Sequence, residues 1–242
     1  MKSVKGILAT ASVMVLGVSC FDPPAYPVVP EIEFAGIIFR DLPDPEQDSL
    51  ILSLRFRDGD GDLGIDAANE TGPPYNDKFY FRFANGEFLN YFMKRTRTGL
   101  PYDTLPDFVK PFNCTNWEVR ENPFTRRLDT LYIQLNPNHY NISVEFQIKN
   151  NDGSFTPFDF TQVLTYPKCE VQGFNGRFPI LFKSNNLQAP LEGTLNYAMT
   201  SVAFNVFFSI RTLRLKVFIR DRALHKSNEV ITPEFTLQSI KR

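Results

Sequence analysis

Alternation with a period of two residues, repeated along a proline-rich chain, is the feature that most constrains this fold. Leu50, Leu52, Leu54 and Phe56 fall on one side of an extended segment, with Ser53, Arg55 and Arg57 on the other. Ile142, Val144, Phe146 and Ile148 alternate with Ser143, Glu145, Gln147 and Lys149, and Leu213, Leu215, Val217 and Ile219 alternate with Arg214, Lys216, Phe218 and Arg220. Shorter runs are Phe79-Phe81-Phe83, Leu131-Ile133-Leu135, Phe204-Val206-Phe208-Ile210 and Ile231-Pro233-Phe235-Leu237. Such runs predict antiparallel strands with one buried face. Asn85-Gly86 and Asn151-Asp152-Gly153 supply turns between them. The 18 prolines are spread widely and leave few windows for a long helix. Residues 191–201 stay open between strand and helix, since Leu195, Met199 and Val202 would also share a helical face.

The fold class expected is all-β, an antiparallel immunoglobulin-like β-sandwich over 31–242. One such module takes about 100 residues, so this one should be elaborated by an insertion. The stretch around 84–130, with Pro101, Pro106, Pro111 and Pro123, reads as that irregular insertion. A hydrophobic content of 43% and a formal net charge of -1 describe a globular domain and exclude a nucleic-acid binder, which would carry a basic face. The 24 phenylalanines are read as core rather than as a ligand platform.

The first 19 residues read as a lipoprotein signal peptide. Lys2 and Lys5 precede an uncharged stretch from Gly6 to Phe21, too short to span a membrane. It ends Leu16-Gly17-Val18-Ser19-Cys20, which resembles a bacterial lipobox, with Gly17 where an aliphatic residue is preferred. The resemblance makes Cys20 the lipidated first residue of the mature protein; ordinary cleavage before a free Cys20 is the other reading. Residues 20–30 then form a tether in which Pro23, Pro24, Pro27 and Pro30 favour an extended chain. With Cys20 in a lipid bond, Cys114 and Cys169 are left as an even pair. A disulfide between them would close a loop of about 55 residues and stabilise by roughly 4 kcal/mol; two buried free thiols remain the alternative.

The most specific chemical motif is Asp58-Gly59-Asp60-Gly61-Asp62-Leu63-Gly64-Ile65-Asp66. Carboxylates spaced by single glycines can turn inward and offer hard oxygen ligands to one cation, and calcium accepts six to eight of them. The loop resembles the Asp-x-Asp-x-Asp calcium loops of extracellular modules. It is not an EF-hand, because Leu63 stands where glycine is required and Asn69 where the closing glutamate belongs. If the Leu50 and Leu213 strands are the B-like and F-like strands of the sandwich, their loops share one end. Asp221, Ser227 and Asn228 then approach the acidic loop, which expects Asp58, Asp60, Asp62 and Asp66 as calcium ligands, joined by Asp221 and Asn228. A solvated Asp/Gly turn is the plain alternative.

Three Asp-Ser/Thr-Leu triplets place Ser49, Thr104 and Thr130 in a pattern that resembles the O-glycosylation sequon of exported Bacteroidota proteins, Thr104 first. Signal peptide, Cys20, tether, Phe-rich β body and acidic loop together resemble uncharacterised outer-membrane lipoproteins of Bacteroidota. That resemblance implies an outer-membrane, lipid-anchored protein. Whether it faces the periplasm or the cell surface is left open, as Asp22 alone follows the cysteine as an acidic export signal. The function expected is non-enzymatic: an accessory or interaction subunit of an outer-membrane β-barrel machine for secretion, motility or uptake. The alternative is a cell-envelope glycan-binding module, with Tyr75, Tyr80, Tyr91 and Tyr102 as its platform and Trp117 in packing. No Gly-x-Ser-x-Gly elbow, His-Glu-x-x-His, phosphate loop or Cys-x-x-Cys is present, and His139 and His225 are read as solvated loop residues.

Overall fold

The computed structural model describes residues 24–43, 45–66, 71–108, 116–160, 173–181 and 189–242. Cys20, Cys114 and Cys169 lie outside the described residues, so lipidation and the disulfide remain expectations from sequence. The domain is all-β, with three antiparallel sheets. β1 (Glu31–Arg40), β2 (Asp48–Asp58) and β8 (Leu191–Ser201) form the first, with β2 in the middle. The second runs β10 (Val230–Ile231), β9 (Leu213–Ile219), β6 (Ile142–Lys149) and β7 (Phe155–Pro157). The third runs β3 (Lys78–Tyr80), β5 (Leu128–Leu135) and β4 (Trp117–Glu121).

The first two sheets share one core. Leu50, Leu52, Leu54 and Phe56 from β2 meet Ile142, Val144 and Phe146 from β6 and Leu213, Leu215, Val217 and Ile219 from β9. The alternation read from sequence is therefore the burial pattern of these three strands. A second, smaller cluster lies under the third sheet, where Leu89, Met93, Leu105 and Trp117 are buried. The stretch read as an irregular insertion thus holds β4, part of β5 and a short helix, α1 (Tyr91–Thr96). Asn90 caps that helix, its Oδ1 accepting from the Met93 N–H at 2.9 Å.

Two local readings are settled differently by packing. Residues 191–201 are a strand: Leu195 and Met199 satisfy either period, and pairing with β2 from Asp48↔Ser201 to Asp58↔Leu191 decides the matter. The run Phe204-Val206-Phe208-Ile210, expected as a strand, is instead helix α2 (Phe204–Phe208) followed by a turn. Phe204 and Phe208 are spaced by four and so also share a helical face. Both are 1% exposed, while Val206 and Ile210, which a strand would bury with them, are 75% and 91% exposed. The two rings lock into an aromatic cluster, Phe208 stacking on Phe146 at 5.5 Å and Phe204 on Phe174 at 5.0 Å.

Candidate metal centre

β2 and β9 each carry the inward-facing parity one step past their last apolar residue. On β2 the series Leu50, Leu52, Leu54, Phe56 is continued by Asp58, which is 0% exposed. On β9 the series Leu213, Leu215, Val217, Ile219 is continued by Asp221, which is 1% exposed. The Leu63–Asp221 bridge brings the ends of the two strands together. Two carboxylates thus enter one end of the shared core from different sheets.

Asp62 joins them from the loop. Carboxylate oxygens of Asp58, Asp62 and Asp221 lie within 4.8 Å of one another. Asp221 is fixed by its own turn: Oδ1 accepts from the His225 N–H at 2.7 Å and Oδ2 meets His225 Nδ1 at 2.8 Å. Asp62 accepts from the Ala223 N–H through Oδ2 at 3.0 Å, tying the acidic loop to the turn after β9. Both oxygens of Asp58, Oδ1 of Asp60 and Oδ1 of Asp62 are buried and have no hydrogen-bond partner among the described residues. The opposite end of β2 offers a control. Asp48 also faces inward, yet its Oδ1 accepts from the Leu42 N–H at 3.0 Å and its Oδ2 from the Asn205 side chain at 3.1 Å. One inward aspartate is satisfied by protein, and the other has no hydrogen bond among the described residues.

The electrostatics follow from this geometry. Burial, then the charges of Asp60, Asp62 and Asp221, push the Asp58 carboxyl from its ordinary 3.8 up to about 7, against a smaller opposing pull from the Asp62 backbone amide, which approaches without reaching hydrogen-bond geometry. Burial and the charges of Asp221 and Asp60 raise Asp62 as well. His225 is raised by its hydrogen bond to Asp221. An ionised carboxylate without partners in such a place costs several kcal/mol. A divalent cation offsets that cost, and the Asp58, Asp62 and Asp221 cluster can coordinate one. The donors are carboxylate oxygens, which suits a hard cation rather than a thiophilic one.

The glycines of the motif explain its spacing. A Cβ on Gly59 would collide with the carbonyls of Tyr26 and Pro27, and a Cβ on Gly61, whose φ is +70°, would collide with the carbonyl of Ala189. The carboxylates gather while neighbouring segments close on the glycines between them.

The other expected site residues fall as follows. Asp66 is half-buried and is not one of the three gathered carboxylates. Asn228 is placed elsewhere: its Oδ1 accepts from the Ile32 N–H at 2.8 Å and its Nδ2 donates to the Ile32 carbonyl at 2.9 Å. Its amide serves as a substitute strand for β1, so it is not available to the cluster, and Ser227 likewise uses its hydroxyl on the Ile219 N–H at 3.0 Å. His225 is exposed in its loop, as expected, and it also orients Asp221. Its position four residues after an aspartate, across a turn where Leu224 has φ 71°, is the only signal for it in the chain order. Thr104 is exposed in a turn, whereas Ser49 and Thr130 sit half-buried in the central strands β2 and β5. Of the aromatics, Trp117 is 1% exposed and donates to the Pro106 carbonyl at 3.0 Å. Tyr91 packs edge-on against Trp117, Tyr102 stands beside Phe83, Tyr75 donates to the Arg222 carbonyl, and Tyr80 is hydrogen-bonded to Glu118. No two of these four tyrosines are in ring contact.

No helix among the described residues is long and apolar enough to cross a membrane. Comparison with protein families, with curated proteins and with solved structures finds no match to this chain.

Proposed function

We propose that this is a lipid-anchored outer-membrane protein without catalytic activity, whose β domain is held together by a calcium ion and serves as an accessory subunit of an outer-membrane β-barrel machine. The domain is read as an immunoglobulin-like sandwich formed by the two larger sheets, with residues 78–135 as its elaboration. One observation carries the calcium reading: Asp58, wholly buried where the two sheets meet, has no hydrogen bond to either oxygen among the described residues. Four acidic residues on a glycine-rich loop suit the larger, more flexible coordination of calcium better than the strict octahedron of magnesium. The anchor rests on Cys20 and the proline tether; the accessory role rests on the resemblance to outer-membrane lipoproteins.

Two experiments test the reading. Calcium should raise the melting midpoint of the detergent-extracted full-length protein, by about 2.7 kcal/mol of added stability at a hundred times its dissociation constant. Magnesium should do less, and an unchanged midpoint with calcium and with chelator would remove the site. Cys20→Ser should release the protein from membranes, and a C-terminally tagged wild type should co-purify with a β-barrel protein in stoichiometric amount. Purification alone would shift the role toward glycan binding.

A further inference from the structure

The acidic loop has two sides, and the side away from the carboxylates receives the start of the domain. The Gly59 N–H donates to the Pro27 carbonyl at 2.8 Å, and the missing Cβ of Gly59 leaves room for the carbonyls of Tyr26 and Pro27. Tyr26 extends this contact along β2 and β8: the Arg57 guanidinium lies 5.9 Å from its ring centre, and its hydroxyl lies beside Glu192, whose carboxylate raises its pKa. Only after this landing does the chain enter β1 at Glu31, which pairs with Arg57. The docking point lies between Asp58 and Asp60, two of the crowded carboxylates.

We propose that cation binding among Asp58, Asp60, Asp62 and Asp221 clamps the proline-rich segment 24–30 onto the domain. The inference rests on the calcium reading above and goes beyond it. Without a cation, like charges packed within 4.8 Å spread the loop. Gly59 lies in the chain between Asp58 and Asp62, so its N–H and its open face move with the repulsion. A bound cation draws the carboxylates together and restores the surface that Tyr26 and Pro27 require. The two events are then linked, and linkage is reciprocal: whatever factor calcium adds to docking of the segment, docking adds to calcium affinity.

Hydrogen exchange at the Gly59 amide reads docking, and calorimetry with calcium alone reads the ion. Both use the full-length chain in detergent. Calcium should slow Gly59 exchange by about tenfold in the wild type. Tyr26→Ala, which leaves every carboxylate and the loop backbone in place, should abolish most of that slowing and weaken calcium binding by a similar factor. Calcium binding with no change in Gly59 exchange would overturn the clamp while leaving the ion site standing. So would a Tyr26→Ala protein that exchanges faster at Gly59 but binds calcium as tightly as the wild type. Absence of calcium binding to the wild type would overturn the ion reading, and the clamp with it.

Discussion

At the scale of single residues, Asp58 makes the domain depend on pH in a direction that surface carboxylates do not. Its carboxyl titrates at 3.8 when exposed and at about 7 in the folded protein. Between those values the folded chain keeps a proton that the unfolded chain has released. Metal-free stability should therefore fall as pH rises from about 4 to about 7 and level off above, by up to about 1.4 kcal/mol per unit across that window. Melting curves in chelator at pH 5 and pH 8 check this, and a rise in midpoint would contradict it. Asp58→Asn removes the buried charge and gives Asp62 a donor. It should melt higher than the wild type in chelator at pH 8 and lose the response to calcium. Asn228 offers the converse. Asn228→Ala strips two partners from Ile32 and should cost about 2 kcal/mol, yet calcium affinity measured by calorimetry should stay unchanged. Asp58 and Asp221 were legible in the sequence, because they continue the parity of Leu50–Phe56 and Leu213–Ile219. Asn228 was not, since nothing in chain order tells an amide near a cation from one that serves a strand 196 residues away.

At the scale of elements, period two identified strands wherever a long run faced a core, as in β2, β6 and β9. It failed over 204–210, where phenylalanines four apart fit both a strand and one turn of helix. Only the exposed Val206 and Ile210 separate the two, and exposure is a property of the tertiary structure. The helix assignment has a sharp consequence. Phe208→Ala should cost about 3–5 kcal/mol, because its ring contacts Phe146, Phe158, Phe160 and Phe207. Val206→Ser, which a buried strand position would not tolerate, should shift chemical denaturation by less than about 0.5 kcal/mol. The ambiguity over 191–201 had the same origin, and there the 11-residue pairing with β2 settled it.

At the scale of the whole molecule, the all-β class and several antiparallel sheets were legible, and the separate core beneath the third sheet was not. Its strands are short, and its buried set is Leu89, Met93, Leu105 and Trp117, drawn from a stretch whose prolines mask any periodicity. A core that small holds less of the total stability than the larger one. The sole tryptophan lies in it, so Trp117 fluorescence should lose its folded signal at lower denaturant than far-UV circular dichroism does. Coincident transitions would show a single cooperative unit instead. The Asn228 bracket on Ile32 also bears on how copies of this chain treat one another. Beyond it, the far end of β1 is occupied by the C-terminus, where the Arg242 N–H donates to the Phe39 carbonyl at 2.9 Å, and the middle is broken by the register shift between Phe34 and Gly36. A strand of 10 residues on the margin of a sheet is an invitation to fibre growth. Here one amide side chain, one terminus and one bulge withdraw that template, so crowding would not string these domains together through β1.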